Sequence, residues 1–287
     1  MKCSRPSYII RQGKSSSTNV NPMYSAGLRP SYMRVLRTPR SVLALMLREM
    51  VTTYGRSPGG YLWAILDPVA AITLLSFIFS QAFHAPALGS SFPLFYATGY
   101  LPFMMFNDVA NKISATIRFS RPLLSYPAVT FLDAVLARFL LNTLTHVMVF
   151  FIVVFGLWLF LDALTSLDMP SIVIAMAMAA SLALGVGTLN CYLMTAFPLW
   201  ERIWQIATRP LFIISGVFFL YESLPETMHY VLWFNPLIHV IGEMRRGFYP
   251  TYEASYVSYT YVFAVALISF VIGLALLYRY HRDLLNS

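Results

Sequence analysis

Residues 68–107 read PVAAITLLSFIFSQAFHAPALGSSFPLFYATGYLPFMMFN, forty positions without one Asp, Glu, Lys or Arg. The turn-forming stretch HAPALGSS, at 84–91, interrupts this apolar run near its middle. A helix needs about 20 apolar residues to cross a hydrocarbon layer of ~30 Å, and each flank of the turn, taken with its neighbouring residues, supplies that length. The stretch therefore predicts two membrane-spanning helices, at 61–83 and 92–112, joined by a short turn.

The whole chain has the composition of a membrane protein. Of its 287 residues, 58% are hydrophobic and 11% are charged, and the mean hydropathy is +0.64. A soluble domain carries roughly 25% charged residues. The charge is uneven, because residues 1–59 hold ten Lys and Arg against one acid, Glu49, whereas residues 60–287 hold ten against eleven. This distribution excludes a nucleic-acid-binding globule and most cytosolic enzyme folds, and it favours an all-α polytopic membrane protein.

Charge-free windows predict six transmembrane helices. Their approximate limits are 61–83, 92–112, 131–161, 169–197, 203–221 and 254–279. Between the last two, the segment 222–250 contains Thr227–Gly242, which is short for a crossing and is interrupted by Asn235-Pro236. Because proline removes a backbone donor, we predict a re-entrant outer hairpin between spans five and six. Counting this segment as a crossing instead gives seven spans and termini on opposite sides.

Basic residues orient the predicted spans. The positive-inside rule places the basic N-terminal segment in the cytoplasm. Six spans with both termini inside put 18 of 20 Lys and Arg on the cytoplasmic side and leave Arg245 and Arg246 outside, but seven spans also score 18. Charge therefore does not decide between six and seven spans. The short length of the segment and its Asn-Pro step favour six. We expect no cleavable signal peptide, because the first long apolar run begins near Tyr61.

The N-terminal 60 residues divide into two segments. Residues 1–37 are rich in Ser and Arg, and we expect a disordered cytoplasmic tail, although such a composition also suits an organellar transit peptide. Residues 38–60 place Leu43, Leu47 and Met50 on one side of a helix, so we predict an amphipathic helix in the cytoplasmic interface. That helix either binds anionic lipid or acts as a lever beside the entrance of a transport path.

Several polar residues interrupt the apolar segments. Ionisable groups inside a membrane usually face a protein or water interior. Asp67 and Asp108 lie near the cytoplasmic ends of the first two spans, so both an interfacial role and a functional one remain open for them. His146 in the third span is most simply a packing residue. Candidates for the substrate path on this side are Trp63, Asp67 and Asn107.

Two adjacent arginines on the outer side depart from the charge bias. Arg245 and Arg246 either pair with Glu243 or lipid phosphate, or they form an exit constriction that contacts an anionic or carbohydrate substrate. Aromatic rings can stack on sugar faces, so Trp233 and Tyr249 join the two arginines as candidate gate residues.

The loop between the predicted second and third spans is basic and bounded by proline. Residues 118–127 read RFSRPLLSYP, and the two prolines limit any helix there to a turn or two. The loop is either held to lipid head groups or is a docking element for a soluble partner. The chain has no HExxH, CxxC, GxSxG or complete phosphate-binding loop. It therefore has no visible means of using ATP itself.

Three motifs, in this order, resemble the membrane subunit of an ABC-2-type polysaccharide exporter, and more narrowly the inner-membrane permease of Gram-negative capsular-polysaccharide export. They are YLWAILDP at 61–68, RPLLSYP at 121–127 leading into LDAVLAR at 132–138, and NPLIHVIGEMRRGFY at 235–249. The similarity covers roughly residues 38–285. It implies a transport subunit, not an enzyme, in the bacterial inner membrane, which moves lipid-linked capsular polysaccharide.

The same resemblance implies the partners and the coupling residues. We expect a homodimer of permeases, a pair of separate ABC ATPase subunits that bind ATP and Mg, and periplasmic and outer-membrane polysaccharide export proteins. The chain itself would hold no cofactor or metal. The segment 40–56 would be a gate helix beside the entrance, and 222–249 would be outer gate helices. The residues expected to couple to the ATPase are Arg118, Phe119, Arg121, Pro122, Leu123 and Leu124.

Two other functions remain open at this point. One is an ABC-2 permease for O-antigen, teichoic acid or a small molecule. The other is an integral-membrane transferase acting on a lipid-linked sugar, for which Asp67, Asp108 and His146 are the available ionisable residues.

Overall fold

The computed structural model describes residues 37–54, 59–124, 130–160 and 167–286. Every regular element in these ranges is helical, which confirms the predicted all-α class. The α-helices are, in chain order, α1 (Arg37–Tyr54), α2 (Gly60–Ala82), α3 (Phe92–Ser114), α4 (Thr116–Leu124), α5 (Phe131–Phe160), α6 (Met169–Ala196), α7 (Pro198–Ile214), α8 (Glu226–Trp233), α9 (Pro236–Phe248) and α10 (Tyr259–Asn286). The predicted tail at 1–37 lies outside the described residues apart from Arg37.

Four helices of the described chain are long and apolar enough to cross a membrane. They contain Leu62–Ala82, Phe131–Phe160, Met169–Ala196 and Tyr259–Tyr280. They match the predicted first, third, fourth and last spans. The other two predicted spans correspond to α3 and α7, which are less apolar. Helix α3 ends in a polar stretch around Asn107-Asp108, and α7 has only 17 residues, three of them charged.

The predicted fifth span, 203–221, is displaced toward the N-terminus in the structure. Helix α7 begins at Pro198, because proline fits the first turn of a helix, and it ends at Ile214. Gly216 follows with φ of +85°, a left-handed backbone conformation that stops the helix. The last helix also begins later than predicted, at Tyr259 instead of 254, because the preceding residues form turns.

The Asn235-Pro236 step separates α8 from α9, as the sequence predicts. The Asn235 Oδ1 atom accepts a hydrogen bond from the Leu237 N–H at 3.1 Å and so caps the start of α9. Its Nδ2 atom donates to the Ile214 carbonyl at 3.3 Å and to the Ser215 hydroxyl at 3.2 Å. One side chain therefore caps the start of α9 and also holds the end of α7.

Helix α6 lies at the centre of the bundle and packs against α3, α9 and α10. Its small residues allow close approach of the neighbouring helices. A Cβ atom at Gly185 would overlap the backbone of Ala266 in α10, and one at Gly187 would lie 2.9 Å from the Ile113 Cβ in α3. The two glycines therefore fix how closely α10 and α3 can pack on α6.

Candidate functional site

The predicted coupling segment forms a short helix, α4, next to the end of α3. Arg118 and Phe119 are exposed on it, and the Phe119 side chain is 67% exposed. The Arg118 guanidinium donates to the Glu201 carboxylate of α7 at 2.8 Å. This hydrogen bond lowers the pKa of Glu201. The side chains of 121–124, and with them the predicted roles of Arg121, Pro122, Leu123 and Leu124, lie outside the described residues.

Helix α1 is fixed to the start of α5 by a mostly buried ion pair. The Glu49 carboxylate accepts from the Arg138 Nε atom at 3.0 Å, and their side chains are only 16% and 10% exposed. Arg138 also donates to the Lys112 carbonyl of α3 at 3.0 Å. The apolar side of α1, with Leu43 and Leu47 more than half exposed, points away from this contact. The helix is therefore held by its polar side, and its apolar side is left for another surface.

A chain of polar side chains links α3 to α5 and α7. Asp108 lies 3.6 Å from the Nε2 atom of His146, so His146 has a polar partner as well as a packing role. Asn107 donates to Asp108 at 3.4 Å and accepts from Asn111 at 3.2 Å. Asn111 in turn accepts from the Trp204 indole at 3.1 Å. The predicted path candidate Asn107 therefore belongs to a hydrogen-bonded network.

Trp63 and Asp67 lie together on the exposed side of α2, and Asp67 is near enough to Asp108 of that network for the two like charges to repel. Trp63 and Asp67 are exposed, and they line a shallow groove of about 700 Å³ that Leu66 and Phe77 share. A carboxylate on an otherwise apolar helix surface is costly in lipid. The position of Asp67 therefore favours contact of this end of α2 with protein or water.

The structure separates the two outer arginines. Arg245 is 2% exposed, and its guanidinium donates to the Phe219 carbonyl at 2.7 Å and to the Val217 carbonyl at 3.1 Å. It also lies 4.3 Å from the centroid of the Phe95 ring of α3, in cation–π geometry. Arg245 therefore fastens the turn after α7 to α3 and α9, and it does not present its charge on an open surface of this chain.

Arg246 has an exposed side chain and a different set of contacts. Its guanidinium donates to the Tyr259 hydroxyl at 3.0 Å and lies 3.6 Å from the Glu243 carboxylate. Tyr259 donates to the same carboxylate at 3.0 Å. Tyr249, another predicted gate residue, is buried with its ring against Gly89. Of the outer candidates with charge, Arg246 is the one that a ligand can reach.

Trp233 lies in an aromatic cluster at the junction of α8 and α9. Its indole donates to the Tyr256 carbonyl at 3.3 Å, and its ring packs against Tyr261 and His239. The His239 Nδ1 atom accepts from the Ser258 N–H, so its Nε2 atom donates to the Trp233 carbonyl at 2.9 Å. His239 therefore has a structural role.

Trp233 also contributes to an open cavity of about 460 Å³ on the outer hairpin. Tyr221, His229, Tyr230 and Phe234 complete its lining, and Tyr230 is three-quarters exposed. Nearby, the Tyr252 hydroxyl donates to the Glu222 carboxylate at 3.0 Å. Burial, and then the neighbouring Tyr256, raise the pKa of Tyr252, so this hydroxyl stays protonated. The open cavity therefore offers aromatic rings, and the Tyr252 hydroxyl lies buried nearby.

The predicted site residues thus fall into two groups at opposite ends of the bundle. Phe95, which contacts Arg245, and Lys112, whose carbonyl binds Arg138, are 17 residues apart on α3, or about 25 Å. One group contains Arg118, Phe119 and Asn107, which were predicted on the cytoplasmic side, and the other contains Trp233, Arg246 and the buried Arg245, which were predicted on the outer side. No cluster of three metal-binding side chains occurs within the described ranges.

Sequence reasoning missed the partners that hold these residues in place. Glu49 is the only acid among the first 59 residues, which was a usable signal for an ion pair, but its partner Arg138 is 89 positions away. Glu201 is likewise 83 positions from Arg118. Nothing in the sequence distinguishes the buried Arg245 from the exposed Arg246.

Comparison with known proteins identifies the family. A family model described as ABC-2 type transporter matches residues 40–249. The polysialic acid transport protein KpsM of Escherichia coli is 32% identical over 248 residues, which cover 86% of this chain and 96% of that protein. The capsule polysaccharide export inner-membrane protein CtrC of Neisseria meningitidis serogroup A is 28% identical over 262 residues, which cover 88% and 96%.

A third relative, the capsule polysaccharide export inner-membrane protein BexB of Haemophilus influenzae, is 27% identical over 252 residues. These cover 85% of this chain and 92% of that protein. The family match extends from Arg40 in α1 to Tyr249 after α9, and so it includes both groups of candidate residues. This chain belongs to the ABC-2 type transporter family.

Proposed function

We propose that this chain is the membrane permease subunit of an ATP-driven exporter that moves lipid-linked capsular polysaccharide across the bacterial inner membrane. The observation that carries the proposal is the length of the similarity. Three relatives named for polysialic acid transport or capsule polysaccharide export each align with at least 85% of this chain. The chain acts as a transport subunit, and ATP and Mg bind to a separate partner.

The proposed topology has six spans with both termini in the cytoplasm. It adds α3 and α7 to the four apolar helices, places α1 in the cytoplasmic interface and makes α8 and α9 a re-entrant outer hairpin. The burial of most of α3 inside the bundle supports its count as a span, because its polar residues then face protein. A reporter fused after Tyr249 should lie in the periplasm, and one fused after Ser287 should lie in the cytoplasm. The reverse assignment would indicate seven spans and exclude six.

The proposed cytoplasmic partner is a pair of ABC ATPase subunits that dock on α4. Exposed Phe119 next to Arg118 is the combination of aromatic and guanidinium groups that often dominates binding at protein interfaces. Phe119→Asp should weaken co-purification of the ATPase at least about tenfold. Glu201→Gln is the control, because it removes the partner of Arg118 and leaves the proposed docking surface intact. Equal loss of the ATPase in both variants would contradict docking through Phe119.

The proposed substrate path begins near α1 and ends at the outer hairpin. A homodimer would cover Asp67 and Trp63 on α2 with a second copy, so that the carboxylate faces protein or water instead of lipid. On the outer side, the exposed Tyr230 and Phe234 rings suit stacking on sugars, and Arg246 suits acidic groups. Periplasmic and outer-membrane export proteins would receive the glycan there.

Deletion and restoration of the gene test the function. We expect the deletion strain to lose surface capsular polysaccharide and to accumulate it in the cytoplasm, and we expect the restored chain to reverse both changes. Unchanged surface capsule in the deletion strain would refute the proposal. Loss of O-antigen with capsule retained would identify the chain as a permease for a different glycan.

A further inference from the structure

A cavity of about 350 Å³ lies where α1, α4 and α5 meet beside the end of α3. Arg48 of α1, Lys112 of α3 and Arg138 of α5 line it, together with Glu49 and Phe119. The volume lies at the lower end of the range for small-molecule pockets. This cavity is separate from the outer hairpin and from the exposed side of α2.

The lining of the cavity has an excess of positive charge. Three of its residues are cationic, and Glu49 is its one acid. The Glu49 carboxylate is already bound to Arg138 at 3.0 Å. Arg48 and Lys112 form no ion pair within the described residues. Arg48 also lies near enough to Arg138 for the two like charges to repel. An anion between them would relieve that repulsion.

Two other described acids bear on this region. Asp108, one turn before Lys112, interacts electrostatically with Lys112 and lies 3.6 Å from His146. Glu201 accepts a hydrogen bond from Arg118 at 2.8 Å. No described acid forms an ion pair with Arg48 or Lys112, so an anion bound between them would supply the negative charge that the cavity lining lacks.

The donors in the cavity suit a phosphate group. A guanidinium presents two parallel N–H donors that match phosphate oxygens, and an ammonium adds a compact charge. Arg48 and Lys112 provide one of each. Arg138 lies behind them, held by Glu49 and the Lys112 carbonyl and positioned 5.1 Å from the Phe119 ring centroid. The Arg138 guanidinium, fixed by these hydrogen bonds, and the Phe119 ring therefore line one side of the cavity.

We propose that this cavity binds a phosphate group, carried by an anionic lipid head group or by a soluble phosphate ester, with Arg48 and Lys112 as its direct ligands. Only the assignment of this cavity to the cytoplasmic side of the membrane rests on the proposed topology. Because its ligands come from α1 and α3 and its wall from α4 and α5, the bound phosphate would fasten the gate-helix segment to the docking helix. Whichever molecule carries the phosphate would then regulate how firmly α1 is held against α4.

The test measures phosphate binding by the full chain in neutral detergent. Phosphatidylglycerol is titrated while the thermal unfolding midpoint is followed, and phosphatidylcholine, inorganic phosphate and glycerol 3-phosphate are titrated in parallel. We expect phosphatidylglycerol to raise the midpoint, and we expect Arg48→Gln with Lys112→Gln to raise the half-maximal concentration about 30-fold. The matched control is Arg40→Gln with Arg202→Gln, which removes two exposed charges away from the cavity. This control should change the half-maximal concentration less than about threefold.

The parallel titrations identify the source of the phosphate. A rise with phosphatidylglycerol alone identifies a lipid head group, and an equal rise with glycerol 3-phosphate or inorganic phosphate identifies a soluble ligand. Both results support the cavity. The proposed site would be overturned if the control variant weakened phosphatidylglycerol binding as much as the cavity variant does. It would also be overturned if phosphatidylcholine raised the unfolding midpoint as much as phosphatidylglycerol does. If Lys112→Gln disturbs folding, Arg48→Gln alone should still weaken binding about fivefold.

The binding assay does not depend on glycan export. A chain that fails to restore capsule but still binds phosphatidylglycerol through Arg48 would refute the proposed function and keep the site. A chain that restores capsule while the cavity variant binds phosphatidylglycerol as the wild type does would refute the site alone.

Discussion

Removing one partner of the Glu49–Arg138 pair should detach α1 from the helix bundle. The pair is close, at 3.0 Å, and its side chains are 16% and 10% exposed, so solvent screens it little. Breaking a buried pair commonly costs about 3–5 kcal/mol, because the remaining charge is left without its partner. Arg138 keeps its bond to the Lys112 carbonyl and some exposure, so we expect about 2–3 kcal/mol for Glu49→Gln.

A double-mutant cycle isolates the interaction itself. The free energy of unfolding is measured in mixed micelles for Glu49→Gln, Arg138→Gln and the double variant. We expect the double variant to lose about 2 kcal/mol less than the sum of the single losses, because the two changes remove one shared contact. The control is Arg40→Gln on the exposed side of α1, which should change the free energy by less than about 0.5 kcal/mol.

Two results would refute this reasoning. One is additivity of the single variants within about 0.5 kcal/mol, which would mean that the two side chains do not act together. The other is unchanged protection of α1. Val42 is 8% exposed where α1 meets α5, so Val42→Cys should react with a thiol reagent slowly, and faster when Glu49→Gln is added. Equal reaction rates would show that the pair does not hold the helix.

Three further substitutions test the packing and the outer turn. Arg245→Met should lower the free energy of unfolding by about 3 kcal/mol in chemical denaturation, because two buried carbonyls lose charged donors. Arg246→Met changes an exposed side chain and should cost less than about 1 kcal/mol. Similar losses in the two variants would contradict the different roles of the two arginines. Asn235→Ala should lower the free energy of unfolding by about 1–2 kcal/mol, and a neutral result would remove its double capping role. Gly185→Leu should abolish the recovery of folded protein, measured as a monodisperse peak in size-exclusion chromatography. Gly156→Leu should be tolerated, because the added side chain meets open space. Recovery of both variants would contradict close packing of α6 on α10.

The helices that depend on local pattern were predictable from the sequence. Long apolar runs predicted the helices corresponding to 61–83, 131–161 and 169–197 to within a few residues, and the Asn235-Pro236 step predicted the break between α8 and α9. These features follow from composition and from the backbone chemistry of proline, which act over a few neighbouring residues. The limits of α7 were missed because Pro198 and Gly216 set them more strongly than the charge-free window did.

The contacts between candidate site residues were not predictable in the same way. Both arginines at 245 and 246 occupy the same short helix, and one helical step of about 100° turns one toward the carbonyls of 217 and 219 and the other toward Tyr259. The orientation of α9 against α3 decides which is buried. That orientation depends on packing between segments far apart in sequence. Such packing leaves no local motif or periodicity from which a single sequence could predict it.

Helix α7 differs from its neighbours in how it is held. None of its 17 side chains is buried within the described chain, yet the Arg118 contact holds its first turn and the Asn235 side chain holds its last carbonyl. Helix α7 is about 26 Å long, and it is also bonded near its middle, where the Trp204 indole donates to Asn111 of α3. A displacement of α4 would therefore be carried along α7 toward Asn111 and toward the junction of α8 and α9, apart from what bending at Pro210 absorbs.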